Sequence, residues 1–157
     1  MKNCILFITK HGSTEKAALL LKEKLKADTD IINLKDVKKP NISDYDTVIL
    51  GASIYIGKIQ KLMRKFIKEN LNELFKKNIA LFIMAGQKER AQETLKNAFP
   101  ATLFDHAFAK EHFGYEMILE KMNFLEKAAT RAQGVTESKS EIMHDAIEKM
   151  AYRTNEL

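Results

Sequence analysis

Cysteine is almost missing from this 157-residue chain, with Cys4 alone. An internal disulfide, a CxxC redox pair and a thiolate metal cluster are thereby excluded, so any redox chemistry has to come from a bound cofactor. Proline is nearly as scarce, at Pro40 and Pro100 only, tryptophan is absent, and no low-complexity tract or internal repeat interrupts the chain. No linker is expected, and the length suits one domain spanning residues 1–157. Apolar runs stop well short of the roughly 18 residues of a membrane span, and the N-terminus has no signal-peptide anatomy, which predicts a cytoplasmic protein.

What remains is a globular balance of 45% hydrophobic and 30% charged residues, with 26 Lys and Arg against 21 Asp and Glu. The net charge of +5 favours anionic partners but carries no nucleic-acid signature.

Cys4 to Ile8 is a continuous apolar run that predicts a strand buried on both faces, as parallel strands are. Ala17, Ala18, Leu21 and Leu25 then recur at helical spacing, with Ser13 or Thr14 placed to cap the first turn. A weaker strand is expected over Asp30–Leu34, a loop over Lys35–Asp46, and a third strand over Thr47–Gly51. The apolar face of Ile59, Leu62, Met63, Phe66 and Ile67 predicts a helix to Leu71, followed by a strand over Ile79–Met84. Lys88–Phe99 reads as a helix stopped by Pro100, and strand five is expected within Thr102–Phe113. Glu116–Gln133 reads as a helix burying Met117, Ile118, Met122, Leu125 and Ala129 and stopping at Gly134. Ser138 with Glu141 suggests a capping box for a last helix that buries Ile142, Ala146, Ile147 and Met150.

Strands alternating with helices imply right-handed crossovers and a doubly wound, three-layer α/β sandwich around a five-stranded parallel sheet. Ligands of such sheets bind beyond the carboxyl ends of the strands, at the switch point of strand order. After strand one comes Thr9-Lys10-His11-Gly12-Ser13-Thr14, rich in hydroxyls, free of carboxylates and opening a helix. Backbone N–H groups, hydroxyls and the helix dipole together suit a phosphate. Neither GxxxxGKS/T nor GxGxxG occurs, which argues against a P-loop nucleotidase and a standard NAD fold. A phosphoacceptor domain would need acids where strand one ends in Thr9. His11, His106, His112 and His144 have no metal-ligand spacing with an acid, and no metal site or catalytic side chain is assigned. Cys4 reads as a small core residue.

The segments TKHGSTEKAA and YDTVILGASIYIGKIQKLMRKF resemble the phosphate and flavin loops of the flavodoxin family. The likeness continues through AFPATLFDHAFAKEHFGYEMILEKMNFLEK, and is greatest to flavodoxin-domain proteins of the menaquinone-dependent protoporphyrinogen oxidase type. The resemblance implies strand order 2-1-3-4-5 and non-covalent FMN, with Thr9, Lys10, His11, Gly12, Ser13 and Thr14 around the phosphate. It places Ser53, Ile54, Tyr55, Ile56 and Gly57 along the isoalloxazine, and Ala85, Gly86 and Gln87 opposite, offering backbone contacts. Tyr55 would stack on the flavin, and Gly57 could turn its peptide toward it.

Short-chain flavodoxins are usually acidic around the flavin, whereas here Lys58, Lys61, Arg64, Lys65 and Lys68 follow the flavin loop with no acid before Glu69. Lys58, Lys61, Lys65 and Lys68 form one helical stripe. Cations there would favour reduced, anionic flavin, and the stripe could meet an anionic partner surface. The expected function is FMN-dependent electron transfer, with a redox protein or quinone as partner. The alternatives are a protoporphyrinogen dehydrogenase delivering electrons to a quinone, against which the short, Trp-free Gly114–Gln133 stretch weighs, and a flavin-free interaction module, against which Thr9, Gly12, Ser13 and Thr14 weigh.

Overall fold

The computed structural model describes residues 1–157. Its central sheet contains β1 (Lys2–Ile8), β2 (Asp28–Asn33), β3 (Thr47–Ser53), β4 (Asn78–Met84) and β5 (Ala109–His112). All neighbours are parallel, in the order β2-β1-β3-β4-β5. The order reverses between β1 and β3, so the carboxyl ends of those strands open onto the switch point.

β1, β3 and β4 sit in the middle of the sheet and are buried almost end to end, which is why they read as unbroken apolar runs. On one face, α2 (Lys61–Leu74), α3 (Ala91–Ala98) and α4 (Ala101–His106) cover a core that includes Leu6, Leu50, Leu81, Met63, Phe66, Leu95 and Leu103. On the other, α1 (Ser13–Lys24) and α6 (His144–Asn155) cover Ile5, Phe7, Ile49, Phe82 and Phe113 through Ala17, Leu21, Ile147 and Met150. Phe82 stacks on Phe113 with centroids 4.4 Å apart. The ring passes over Gly51 of β3, where any Cβ would overlap it. A glycine in the interior of a strand weakens it, and here the lost side chain is what admits the aromatic pair. No helix is long and apolar enough to cross a membrane.

The chain departs from the sequence-based expectation mainly after Pro100. Thr102–His106 is helical, part of α4, and β5 begins only at Ala109. Pro100 caps α4 with φ −55°, and its carbonyl accepts from Phe104 N–H at 2.9 Å, so the proline starts a helix as well as ending one. The expected helix over Glu116–Gln133 is instead a strand, β6 (Gly114–Met117), a tight turn at Leu119–Lys121 and a shorter helix, α5 (Phe124–Ala132). β6 pairs antiparallel with β7 (Lys139–Ile142) in a separate two-stranded ribbon. A Cβ at Gly114 would overlap the Glu141 carbonyl, so glycine fixes that close approach. Within α5, Leu125 is 77% exposed and Ala129 is also solvent-facing, contrary to the expected burial. The capping box belongs to Asn123 and Glu126, not to Ser138 and Glu141. Ser138 Oγ accepts from Leu119 N–H at 2.9 Å, and Ile142 lies in β7 ahead of α6. The second strand runs over Asp28–Asn33, ending one residue before Leu34.

Candidate functional site

β1 delivers Thr9 at the switch point, and the next five residues turn the chain into α1. Thr9 Oγ1 accepts from Gly12 N–H at 2.9 Å, and Gly12 takes φ +93°, a left-handed conformation that glycine adopts without steric cost. Helix α1 therefore begins at Ser13, and the N–H groups of its first turn have no preceding turn to bond to. Ser13 and Thr14 are buried, and the Thr14 hydroxyl has no hydrogen-bond partner. A buried unpartnered hydroxyl costs free energy, on the order of 1–3 kcal/mol, unless a ligand satisfies it. Free N–H groups, a left-handed glycine and an unused hydroxyl at one helix N-terminus are a donor set for a phosphate.

The second loop follows β3. Ile54 N–H donates to Met84 O at 2.9 Å, tying the loop to the end of β4. Tyr55 and Lys58 exchange main-chain hydrogen bonds of 2.9 and 3.1 Å across a two-residue turn. Both central residues, Ile56 (φ 50°) and Gly57 (φ 71°), have positive φ, the pattern of a type I′ turn. For a β-branched residue this is strained, and Ile56 is nevertheless 84% exposed, with Tyr55 55% exposed beside it. Ser53 Oγ accepts from Gln60 Nε2 at 2.5 Å and braces the loop from within.

The third loop follows β4. Both main-chain groups of Ala85 are already engaged: its N–H donates to Gly114 O at 2.8 Å, and its carbonyl accepts from His112 Nε2 at 2.7 Å. The expected backbone contacts from Ala85 are thus committed internally, which leaves Gly86 and Gln87, both exposed. Tyr115 lies against Gly86, its ring 3.9 Å from where a Cβ would stand.

The ribbon and α5 arch from β5 back to the phosphate loop, a connection invisible in the sequence. Lys16 of α1 binds Glu116 of β6 at 2.8 Å, and Glu116 also accepts from Ser140 at 2.9 Å. Both interactions, the lysine first, hold the Glu116 carboxyl below its ordinary range. Further along, the Glu126 carboxylate takes the Lys10 ammonium and lies 3.2 Å from His11 Nε2, so His11 has an acid partner that spacing alone did not reveal. The Lys10 hydrogen bond is the main cause that holds the Glu126 carboxyl low, and reciprocally raises Lys10. Lys10 Nζ also sits 4.3 Å from the centroid of Tyr55, a cation–π contact that bridges the phosphate and flavin loops. Lys121 Nζ reaches within 3.4 Å of a Cβ position on Gly12. Lys121, Glu126 and Tyr115 were not singled out from sequence; Asn123-x-x-Glu126 has capping-box spacing, but nothing in it points to Lys10.

The structure therefore brings Thr9–Thr14, Ser53–Gly57 and Gly86–Gln87 to neighbouring strand ends. The basic stripe divides: Lys65 pairs with Glu69 at 3.8 Å along α2, while Lys58 and Lys61 face a cleft beside Tyr55.

A flavodoxin-domain family model matches residues 4–140. Protoporphyrinogen IX dehydrogenase [quinone] of Escherichia coli K12 is 34% identical over 77 residues, 47% of this chain and 42% of that protein, so the match spans less than half of the relative's length. An uncharacterized protein of Methanocaldococcus jannaschii is 33% identical over 121 residues, covering 76% of this chain and 73% of that protein. Among solved structures, a flavodoxin from the domain Archaea superposes with TM-score 0.60 at 15% identity over 98% of both chains. Rubredoxin oxygen:oxidoreductase of Desulfovibrio gigas does so with TM-score 0.58 at 14% identity, over 96% of this chain and 36% of that one. With the family model spanning most of its length and the strand order of that fold, the chain belongs to the flavodoxin-domain family of redox proteins.

Proposed function

We propose that this chain, as one domain, binds FMN non-covalently and serves as a flavin electron-transfer protein. The observation that carries the reading is the buried, unpartnered Thr14 hydroxyl at the N-terminus of α1, next to Ser13 and the Thr9–Gly12 turn. The hydroxyls of Ser13 and Thr14 and the N–H groups of the first turn would hold the phosphate, and Lys10, His11 and Lys121 would supply positive charge around it. Ser53, Ile54, Tyr55, Ile56 and Gly57 would border the ring on one side, and Gly86 and Gln87, with Tyr115 behind them, on the other. The bound flavin supplies the one- and two-electron chemistry. What the chain contributes is a phosphate anchor, aromatic surface from Tyr55 and fixed cations at Lys58 and Lys61; no protein group has to donate or accept a proton for electron transfer.

The decisive experiment is FMN titration of the purified chain, followed by flavin fluorescence and by the visible spectrum. Saturable quenching supports the reading, and none at high FMN overturns it. The stretch shared with protoporphyrinogen IX dehydrogenase [quinone] favours a second reading, in which a porphyrinogen is the donor and a quinone the acceptor. An anaerobic assay with protoporphyrinogen and a menaquinone analogue separates the two.

A further inference from the structure

A cleft of about 400 Å³ opens where the chain leaves β1, β2 and β3. Its walls carry five cations, Lys10, Lys35, Lys58, Lys61 and Arg64, and no carboxylate. The apolar part of the lining is Tyr55, Ile56 and Ile59. Strand order sets this cleft apart from the expected flavin ring position: it spans the ends of β2, β1 and β3, whereas the ring would lie between the loops after β3 and β4, and none of residues 85–87 lines it.

Outside the cleft Lys2, Lys16, Lys24, Lys65, Lys76, Lys77 and Lys149 have carboxylates within 4.0 Å and others, such as Lys38, Lys88 and Lys96, have none. What sets the cleft apart is five cations meeting in one recess with no acid in its lining. Lys35, Lys58, Lys61 and Arg64 have no carboxylate that close, and the one acid that reaches Lys10, Glu126, lies outside the cleft lining. The first turn of α2 compounds the imbalance, because it contains no acid and begins with Lys61, where the helix dipole disfavours a cation. Like charges gathered in one recess repel one another, and a bound anion removes that repulsion while gaining charge-assisted hydrogen bonds. The recess is within the size range of small-molecule sites.

We propose that this cleft binds a small polyanion, a molecule with two or more phosphate or carboxylate groups on a body that packs against Tyr55 and Ile59. Such a ligand would sit one loop away from the flavin position, with Tyr55 as the shared wall. The cleft shares Lys10, Tyr55, Ile56, Lys58 and Lys61 with the flavin reading, but the test substitutes only Lys35 and Arg64, to which that reading gives no part, so the two can fail separately.

Pyrophosphate and citrate, as phosphate and carboxylate probes, are titrated into the full chain by calorimetry at physiological salt. Two double variants remove equal charge from exposed positions: K35A/R64A inside the cleft, and K65A/K68A on the same helix but outside it. Both are checked for an unchanged thermal melt. The expected result is saturable one-to-one binding of at least one probe, weakened about tenfold or more by K35A/R64A and changed by less than about twofold by K65A/K68A. Equal weakening by both doubles, as attraction to an acidic protein surface or simple net charge would give, overturns the proposal. So does failure of both probes to saturate, or binding indifferent to K35A/R64A, which is the behaviour of an anion held only by the phosphate loop.

Discussion

Glu126 Oε2 lies 3.2 Å from His11 Nε2 while the same carboxylate holds the Lys10 ammonium, so an acid from α5 occupies the cations that the phosphate loop presents. A phosphate arriving at α1 has to compete with that carboxylate and suffers repulsion from it. The same residue closes the capping box with Asn123, through bonds of 2.8 and 3.0 Å, and glutamine serves that box equally well. Glu126→Gln therefore removes the charge and leaves the helix. The expected outcome is FMN affinity increased about three- to tenfold in a fluorescence titration, with the helix kept by its capping box and only a small drop in melting temperature from the lost Lys10 pair; weaker binding would mean that Glu126 orients Lys10 and His11 for the phosphate instead.

Thr14→Val tests the phosphate anchor with little change of shape. Because the hydroxyl is buried without a partner, removing it costs the ligand-free protein nothing and is expected to leave its stability equal or slightly higher. FMN affinity should fall about tenfold, the worth of one charge-assisted hydrogen bond. A melt and a flavin titration on the same sample check both halves. Equal loss of stability and affinity would assign Thr14 to packing.

The parts of the fold that could be read from residues were those where one physical effect dominates. β1, β3 and β4 are buried on both faces, so their apolar runs marked them to within two residues at each end. The loops at their ends followed from strand order, and the turn carrying Thr9, Ser13 and Thr14 stood out by its hydroxyls at the start of a helix. The segment after Gly114 failed because its stabilisation is non-local. Met117, Ile118, Met122, Leu125 and Ala129 happen to recur near helical spacing, yet Glu116 is held by Lys16 one hundred residues earlier, and β6 is held by β7 across α5. Pairings at that separation leave no periodic trace, and short, half-exposed strands carry little alternation. For the same reason the Glu126 contacts to Lys10 and His11 were not visible.

Acid should loosen the arch. The carboxyls of Glu116 and Glu126 are both held below their unfolded value, mainly by Lys16 and Lys10 respectively. A depressed folded pKa contributes stability that is present above the unfolded value, about pH 4.3, and is lost as pH falls through the folded one. Amide exchange in residues 114–132 is expected to accelerate below about pH 4, ahead of β1, β3 and β4. In E116Q/E126Q that acid dependence should largely vanish. An arch whose exchange tracks the central sheet at every pH would show that these pairs do not anchor it.

Gly51→Ala probes the aromatic stack under the sheet. A methyl group there overlaps the Phe82 ring, which is itself stacked on Phe113, so the ring has to shift and the stack with it. Overpacking of this kind costs about 1–3 kcal/mol, read as a lowered urea midpoint with an unchanged slope. A companion Gly51→Ala/Phe82→Leu variant, in which the branched side chain gives the new methyl room, should recover part of the loss. Absence of any recovery would locate the cost in the β3 backbone.

The cations at the flavin loop bear on potential. Lys58 closes the turn that contains Ile56 and Gly57, and Lys61 starts α2 three residues later; neither has a carboxylate within 4.0 Å. Fixed positive charge near a flavin that gains negative charge on reduction favours the reduced form. K58E/K61E reverses both charges and should lower the two-electron potential of the FMN-loaded protein, on the order of tens of millivolts at low salt. Screening decides the attribution, because charges this exposed act through solvent. The difference should shrink as ionic strength rises and the Debye length falls below about 10 Å. A shift that persists unchanged at 1 M salt, where that length is about 3 Å, would come from altered turn geometry at Tyr55–Lys58 rather than from charge.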